Sequence, residues 1–256
     1  MHKILTSFFA MCVITGCFNI EVFAQKAPRF KVVALAEMKD RHQPFVDAAM
    51  TWLNKVALDS GFTVDYIETP EAVTDAFLSK YQLFIQLNFP PYMWSDVAKK
   101  AFEKYISEGE GGWIGFHHAT LLGEFDGYAV WPWFSDFMGK IRFKNYIATF
   151  VAADVVAEDM AHPTMKGVAS PFRIAKEEFY TYDVSPRASV HVIASVNEDT
   201  YTPPSNIKMG DHPVIWSNPN VKAKNVYIFM GHDPGLFDNA VYRQLFLNSI
   251  FWACRK

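Results

Sequence analysis

The sequence has almost no excess of charge and no long basic run: 24 Lys and Arg stand against 27 Asp and Glu, a net of -3 with the histidines neutral. Holding a polyanion needs clustered cations, so neither nucleic acid nor an anionic membrane surface is an expected partner. Cysteine is scarce too, with three in 256 residues. Cys12 and Cys17 lie near the start and Cys254 near the end, so removal of a leader would leave no pair for an internal disulfide, and the core must hold the fold. No repeat, low-complexity tract or second linker interrupts the chain, which favours one domain over residues 25–256. Aromatic residues are plentiful. They make up 16% of a chain that is 50% hydrophobic, enough for a large core with flat rings to spare for stacking on sugars.

Residues 1–24 have the layout of a secretory leader: Lys3 near the start, an uncharged run from Ile4 to Ile14, and small residues beyond. The run is too short to span a bilayer. Val22-Phe23-Ala24 before Gln25 suits ordinary signal peptidase. Ile14-Thr15-Gly16-Cys17 resembles a lipobox, with the lipoprotein signal ending at 16 and a lipid anchor on Cys17. Either product is exported, as a soluble periplasmic protein or an outer-membrane-anchored lipoprotein, with no transmembrane segment in the mature chain.

Beyond the leader, short apolar runs alternate with helical patterns. Phe30 to Ala36 is continuous and apolar, as expected of a strand buried on both faces. A helix from about Pro44 carries apolar residues at helical spacing and stops at Gly61. Strands follow at Thr63 to Ile67, Leu83 to Leu87 and Trp113 to Phe116. A short helix lies around Ala72 to Leu78, and another is capped by Ser95 and ended by Gly109. This βαβαβαβ order implies right-handed crossovers and a mostly parallel sheet covered on both sides, a three-layer flavodoxin-like α/β fold. The middle is less regular: an extended stretch from Tyr146 to Val156, a strand-like Phe172 to Ile174, and Glu177-Glu178-Phe179-Tyr180. Buried strands resume at Val190 to Ser195, Val214 to Trp216 and Val226 to Met230, and a helix from Tyr242 to Cys254 closes the chain.

In such a fold, ligands bind beyond the carboxyl ends of the strands, where loops and helix N-termini meet. Strand one is followed there by Glu37 and His42, strand three by Asn88, strand four by His117 and His118, and the strand at Val226 to Met230 by His232 and Asp233. His42, in the charged loop KDRHQP, reads as a solvated side chain. His117 sits at a sharp strand-to-helix turn and His232 follows Gly231, which frees the backbone. Both are candidate site residues. His118, adjacent to His117, is expected to point elsewhere or to add a polar group. His162 and His212 each precede proline, locally only a loop signal.

Four ordered segments, GGWIGFHHAT at 111–120, HPTMKGV at 162–168, EEFYTYDVSP at 177–186, and HPVIW with VYIFMGHDPGLF to the end, resemble the ThuA-like, or trehalose-utilisation, family. The resemblance runs from about residue 30 to 254. It implies the class I glutamine amidotransferase-like fold. True amidotransferases carry a nucleophilic cysteine at the strand-four turn, where this chain has His117, so no glutamyl thioester can form and glutaminase activity is not expected. No G-x-S-x-G elbow occurs, which removes support for a serine hydrolase. The family pattern marks His117, His162, Glu178, Tyr180, Trp216 and His232. His118 replaces a smaller residue, and Glu177-Glu178 replaces an Asp-Glu pair.

Strand topology and the resemblance together imply His117, His162, Glu178 and His232 as a catalytic set meeting in one pocket, with His118, Asn88, Tyr180, Trp216 and Asp233 binding substrate. Three imidazoles and a carboxylate also suit a divalent metal such as zinc, although no local ligand spacing requires one. The same groups can exchange protons near neutrality without a metal. The family's name points to a carbohydrate substrate. For a 3-keto-glycoside the carbonyl acidifies the neighbouring C–H, and a histidine or glutamate base could then drive hydrolysis, elimination or isomerisation. Phe89, Tyr92, Trp94, Trp131 and Trp133 are candidates for stacking on the sugar or for plain core packing. The alternatives are a non-catalytic carbohydrate-binding protein and a periplasmic interaction protein with a large apolar patch.

Overall fold

A computed structural model describes residues 27–254. The leader and the lipobox Cys17 lie outside the described residues. Among those described, no helix is long and apolar enough to cross a membrane.

Nine strands form one sheet. Along the chain they are β1 (Lys31–Ala36), β2 (Thr63–Ile67), β3 (Leu83–Leu87), β4 (Gly112–Phe116), β6 (Val151–Ala157), β7 (Phe172–Glu177), β9 (His191–Thr202), β10 (Pro213–Ser217) and β11 (Asn225–Ile228). In space the order is β2-β1-β3-β4-β11-β10-β9-β6-β7. The first five are mutually parallel, and each later neighbour pairs antiparallel. Two further strands, β5 (Phe143–Tyr146) and β8 (Tyr180–Tyr182), make a small antiparallel ladder.

The helices form where the apolar spacing and the caps agree. Helix α1 (Gln43–Ser60) buries Phe45, Val46, Ala49, Leu53 and Ala57 on one face, and Gly61 ends it in the left-handed conformation. The short α2 (Asp75–Leu78) starts on the Thr74 hydroxyl. Helix α3 (Asp96–Glu108) starts on the Ser95 hydroxyl, which accepts from the Ala98 amide, and ends at left-handed Gly109. Then come α4 (Pro132–Phe137) and α5 (Ala240–Ala253), the latter capped by Asn239. Strands β3, β4 and β11 are buried at every position, which fixes the middle of the sheet as the core. The order β2-β1-β3-β4-β11 is the flavodoxin-like one, and it sets β4 beside β11. The residues that leave these two strands at the carboxyl edge are therefore neighbours in space.

Candidate functional site

At the end of β4 the backbone turns abruptly. His117 has a φ of 31°, a conformation that residues with a Cβ seldom adopt. Its carbonyl is pinned by the Tyr227 hydroxyl at 3.0 Å and the Thr120 hydroxyl at 2.9 Å, and Tyr182 donates to Thr120 at 2.8 Å. Close packing explains the glycine one strand over. A Cβ on Gly231 would come within 2.9 Å of both the His117 Cβ and the Asn88 side chain. Asn88, itself left-handed at φ 59°, donates to the Gly231 carbonyl at 2.5 Å. It braces the β3 and β11 loops against each other and is wholly buried.

Into this frame come three imidazoles and one carboxylate. His42, at the start of α1, His117 after β4, His232 after β11 and Glu178 between β7 and β8 each offer a donor atom, and these atoms all lie within 4.8 Å of one another. Glu178 Oε2 is 3.7 Å from His117 Nε2 and 4.0 Å from His232 Nε2. The His42 ring centroid is 4.4 Å from that of His232 and 5.4 Å from that of His117. All four residues are buried. The sequence reading of His42 as solvated is corrected: it is 7% exposed, because the turn before α1 folds its ring inward.

His162, expected in this set, lies elsewhere. Its Nδ1 is 2.8 Å from the Thr164 hydroxyl, and its ring packs 4.6 Å from Trp252 near the end of α5. Ala253, the next residue, packs its carbonyl against Gly112 at the start of β4, so His162 sits toward the amino edge of the sheet, a strand's length, about 16 Å, from the carboxyl edge. The preceding extended segment carries the HP pair down to α5, and no pattern in the sequence shows that path. Trp216 is likewise a core side chain, 1% exposed, packed 4.4 Å from Tyr227. It reaches His117 only indirectly, through Tyr227 and through Tyr182 and Thr120.

Two residues that the sequence reading left out of the set support it. Glu177 is fully buried and accepts from the backbone amides of Glu178, Gly231 and His232 at 2.9, 3.0 and 3.3 Å. It ties the β7 end to the His232 loop. Glu37, following β1, places its Oε2 2.9 Å from His118 Nδ1 and 3.5 Å from His42 Nδ1. A carboxylate there favours a proton on each facing Nδ1, which leaves the opposite Nε2 lone pairs available. That is the contribution of His118: its ring, 3.7 Å from that of His42, walls the cluster and shares its carboxylate.

Burial dominates the electrostatics. It pushes the His42 imidazole down to about 2, helped by neighbouring His118, His232 and Arg41, and holds His117 well below its ordinary value, helped by the surrounding imidazoles. His232 falls to about 4, again chiefly by burial. These rings are neutral near pH 7, the form that ligates metal. Burial raises Glu177 to about 8 despite its three amide donors, and raises Glu178 despite His118, the Tyr180 hydroxyl and Arg41, which all favour its charged form. Tyr180 lies over the cluster with its ring 4.3 Å from that of His117.

Both ring nitrogens of His42 and of His117 are buried without a well-formed hydrogen bond. Buried polar atoms are normally paired, and an N3O set of neutral imidazoles plus carboxylate is the donor chemistry that zinc prefers. The residues present therefore fit a divalent metal. A cavity of about 500 Å³ opens beside Glu178 and His232, lined also by Arg41, Phe150, Lys176 and Asp233. Asp233 caps the following turn and pairs with Lys176 at 2.7 Å. Of the candidate stacking residues, Phe89, Trp94 and Trp131 are buried in the core. Trp133 lines a separate cleft with Asn218 and Asn220, and Tyr92 stays partly exposed.

A ThuA-like protein of Bacteroides uniformis has a similar structure, with 29% identity, a TM-score of 0.78, and 89% of this chain and 92% of that one covered. A ThuA-like protein of Parabacteroides merdae follows at 18% identity and 0.65, covering 89% and 90%. The glutaminase domain of a Trypanosoma brucei CTPS shares the fold at 11% identity and 0.50, covering 87% and 94%. No curated protein matches the chain. The model of the family described as ThuA, trehalose utilisation, matches residues 31–253, and the chain belongs to that family.

Proposed function

We propose that the protein is a metal-assisted carbohydrate enzyme that acts on a sugar or 3-keto-glycoside by proton transfer, without glutaminase activity. The observation that carries this reading is the convergence of His42, His117, Glu178 and His232 donor atoms within 4.8 Å, beside an open cavity. The family's association with trehalose utilisation supplies the substrate class. His42, His117 and His232 would hold the ion, and Glu178 stands at the remaining corner, facing the cavity. A bound divalent ion supplies Lewis-acid polarisation of a substrate oxygen. Glu178, with its basicity raised by burial, takes the proton from the carbon next to the substrate carbonyl and returns it to the departing or rearranged oxygen. Tyr180 donates to the Glu178 carboxylate and orients it. Glu37 keeps the His42 and His118 rings in one tautomer. An exported enzyme, as the leader-like N terminus suggests, would meet its sugar in the periplasm.

The test is to purify the full chain, measure bound metal, and follow 3-keto-glycosides and their parent glycosides by product chromatography. His117→Ala should lose both metal and turnover, whereas Glu178→Gln should keep most of the metal and lose turnover. A protein that binds the sugars but yields no product would be a carbohydrate-binding module instead.

A further inference from the structure

The cavity of about 500 Å³ beside the cluster has walls of two kinds. One is apolar, with Pro44, Phe150 and Pro234, and the Phe150 and His232 rings meet at a steep angle 4.7 Å apart. The other is charged: Arg41, Lys176, Asp233 and Glu178. Whether that wall can hold an ionic ligand depends on which of its charges are already paired.

The Lys176 ammonium is paired, 2.7 Å from Asp233 Oδ2 and 4.7 Å from the centre of the Phe150 ring. Asp233 is satisfied on its other oxygen too, where Oδ1 accepts from the Gly235 amide at 2.8 Å. Glu178 faces His117 and His232. Arg41 differs. It is exposed, and among the described residues no carboxylate or other acceptor pairs with its guanidinium. Two other exposed arginines are held by carboxylates, Arg173 by Asp154 at 3.1 Å and Arg187 by Glu158 at 2.6 Å and Asp211 at 2.7 Å.

Arg41 stands on the one-turn helix Asp40–His42, directly before the histidine whose ring folds into the cluster. Burial dominates the basicity of His42, His232 and Glu178, but the Arg41 charge is felt at all three, lowering both imidazoles and favouring the ionised carboxylate. Helix α1 begins on the same turn without a side-chain cap, and Pro44 in its first turn lines the cavity. The positive end of that helix therefore adds to the guanidinium.

A guanidinium is a planar fork of donors that matches the two oxygens and single charge of a carboxylate. We infer that the cavity takes a sugar acid, a pyranose whose carboxylate is held by Arg41, with its ring against Phe150 and its reacting carbon toward Glu178. The site thus selects an anionic sugar over a neutral one. This inference rests on the carbohydrate reading of the site and supplies the substituent which that reading leaves undefined. Among the described residues lining the cavity one positive charge is unpaired, which suits a carboxylate better than a phosphate dianion.

The test is titration calorimetry on the zinc-loaded full chain with glucuronate, glucose and glucose 6-phosphate as non-reacting probes. Glucuronate should bind about ten-fold more tightly than glucose, and the gap should narrow as ionic strength rises, because the contact is open to solvent. Arg41→Gln should bring glucuronate down to the glucose value while zinc content holds, and Arg41→Lys should keep part of the gap. Equal binding of glucuronate and glucose by the native protein would overturn the sugar acid and leave the carbohydrate reading standing. A gap that survives Arg41→Gln, or that vanishes in the metal-free protein, would also overturn it, since the carboxylate would then sit on the ion. Tighter binding of glucose 6-phosphate than of glucuronate, lost in Arg41→Gln, would replace the carboxylate with a phosphate ester and contradict the assignment. Binding of none of the three would sink the carbohydrate reading itself, and this inference with it. Zinc content is measured separately, so a failure of the metal reading is told apart from both.

Discussion

Two groups of histidines in this molecule differ in what surrounds their ring nitrogens. In the antiparallel half, His162 meets the Thr164 hydroxyl, His191 the Asp159 carboxylate at 2.9 Å, and His212 the Glu198 carboxylate at 2.9 Å. At the carboxyl edge of the parallel half, His42 and His117 are more deeply buried than His162 and His191, yet lack good partners on either nitrogen. A histidine that serves the fold spends at least one ring nitrogen locally, as His212 does with Nδ1 although its Nε2 has no partner, whereas one that serves a ligand is held in place by its backbone and neighbours with both nitrogens left unspent. The strained φ of His117, the Asn88 brace and the Glu177 tether all hold rings in place without using their nitrogens.

The largest effects should come from the unpartnered group. His117→Ala or His42→Ala should lower zinc affinity by at least about 100-fold, measured by competition with a chelating dye, because each removes one of only three imidazole ligands. The change in melting temperature of the metal-free protein should be small by comparison. Glu37→Gln should weaken zinc by about 10- to 100-fold, the usual scale for losing a carboxylate behind a ligand imidazole, and His118 should show an altered ring resonance in NMR.

The partnered group should behave in the opposite way. His212→Ala leaves the buried Glu198 carboxylate with one donor fewer and should destabilise the fold by about 1–3 kcal/mol in urea titration, without touching zinc affinity. His162→Ala should cost stability alone. A loss of zinc or turnover there would erase the distinction between the two groups.

The smallest effect is in acid. Burial lowers His162 to about 4 in the fold, with His191 adding to the shift and Asp159 opposing it. The unfolded chain therefore binds its proton first, and stability falls as pH drops from about 6.5 to about 4. Arg187 holds Glu158 and Asp211 below their ordinary values through charge-assisted hydrogen bonds. Their contribution is present above the ordinary carboxylate range and is lost as pH falls through it. This network is partly exposed, so Arg187→Ala should only flatten the lower end of a melting-temperature profile.

The parallel half was legible in the sequence because its strands are buried on both faces and read as unbroken apolar runs, and because Gly61, Ser95 and Gly109 mark helix ends directly. Topology then placed His117, Asn88 and His232 on one edge. His42 escaped because its neighbours Lys39, Asp40 and Arg41 are charged, and a charged loop says nothing about which single side chain folds inward. The family pattern marks His162 in the irregular middle and Trp216 on β10, where strand pairing is antiparallel with bulges and side-chain direction cannot be followed from local periodicity. The pinning of the His117 carbonyl by Tyr227 and Thr120, and the tether from Glu177, are contacts between distant segments and leave no local signal.

The central claim is that His42, His117 and His232 hold one divalent ion, with Glu178 beside it. Anomalous diffraction at the zinc edge, from crystals of the full chain grown with zinc, tests it most directly. The account predicts one strong peak bounded by those four side chains at about 2 Å from its ligand atoms. No peak there, or one on the His162 and His191 rings instead, would contradict it.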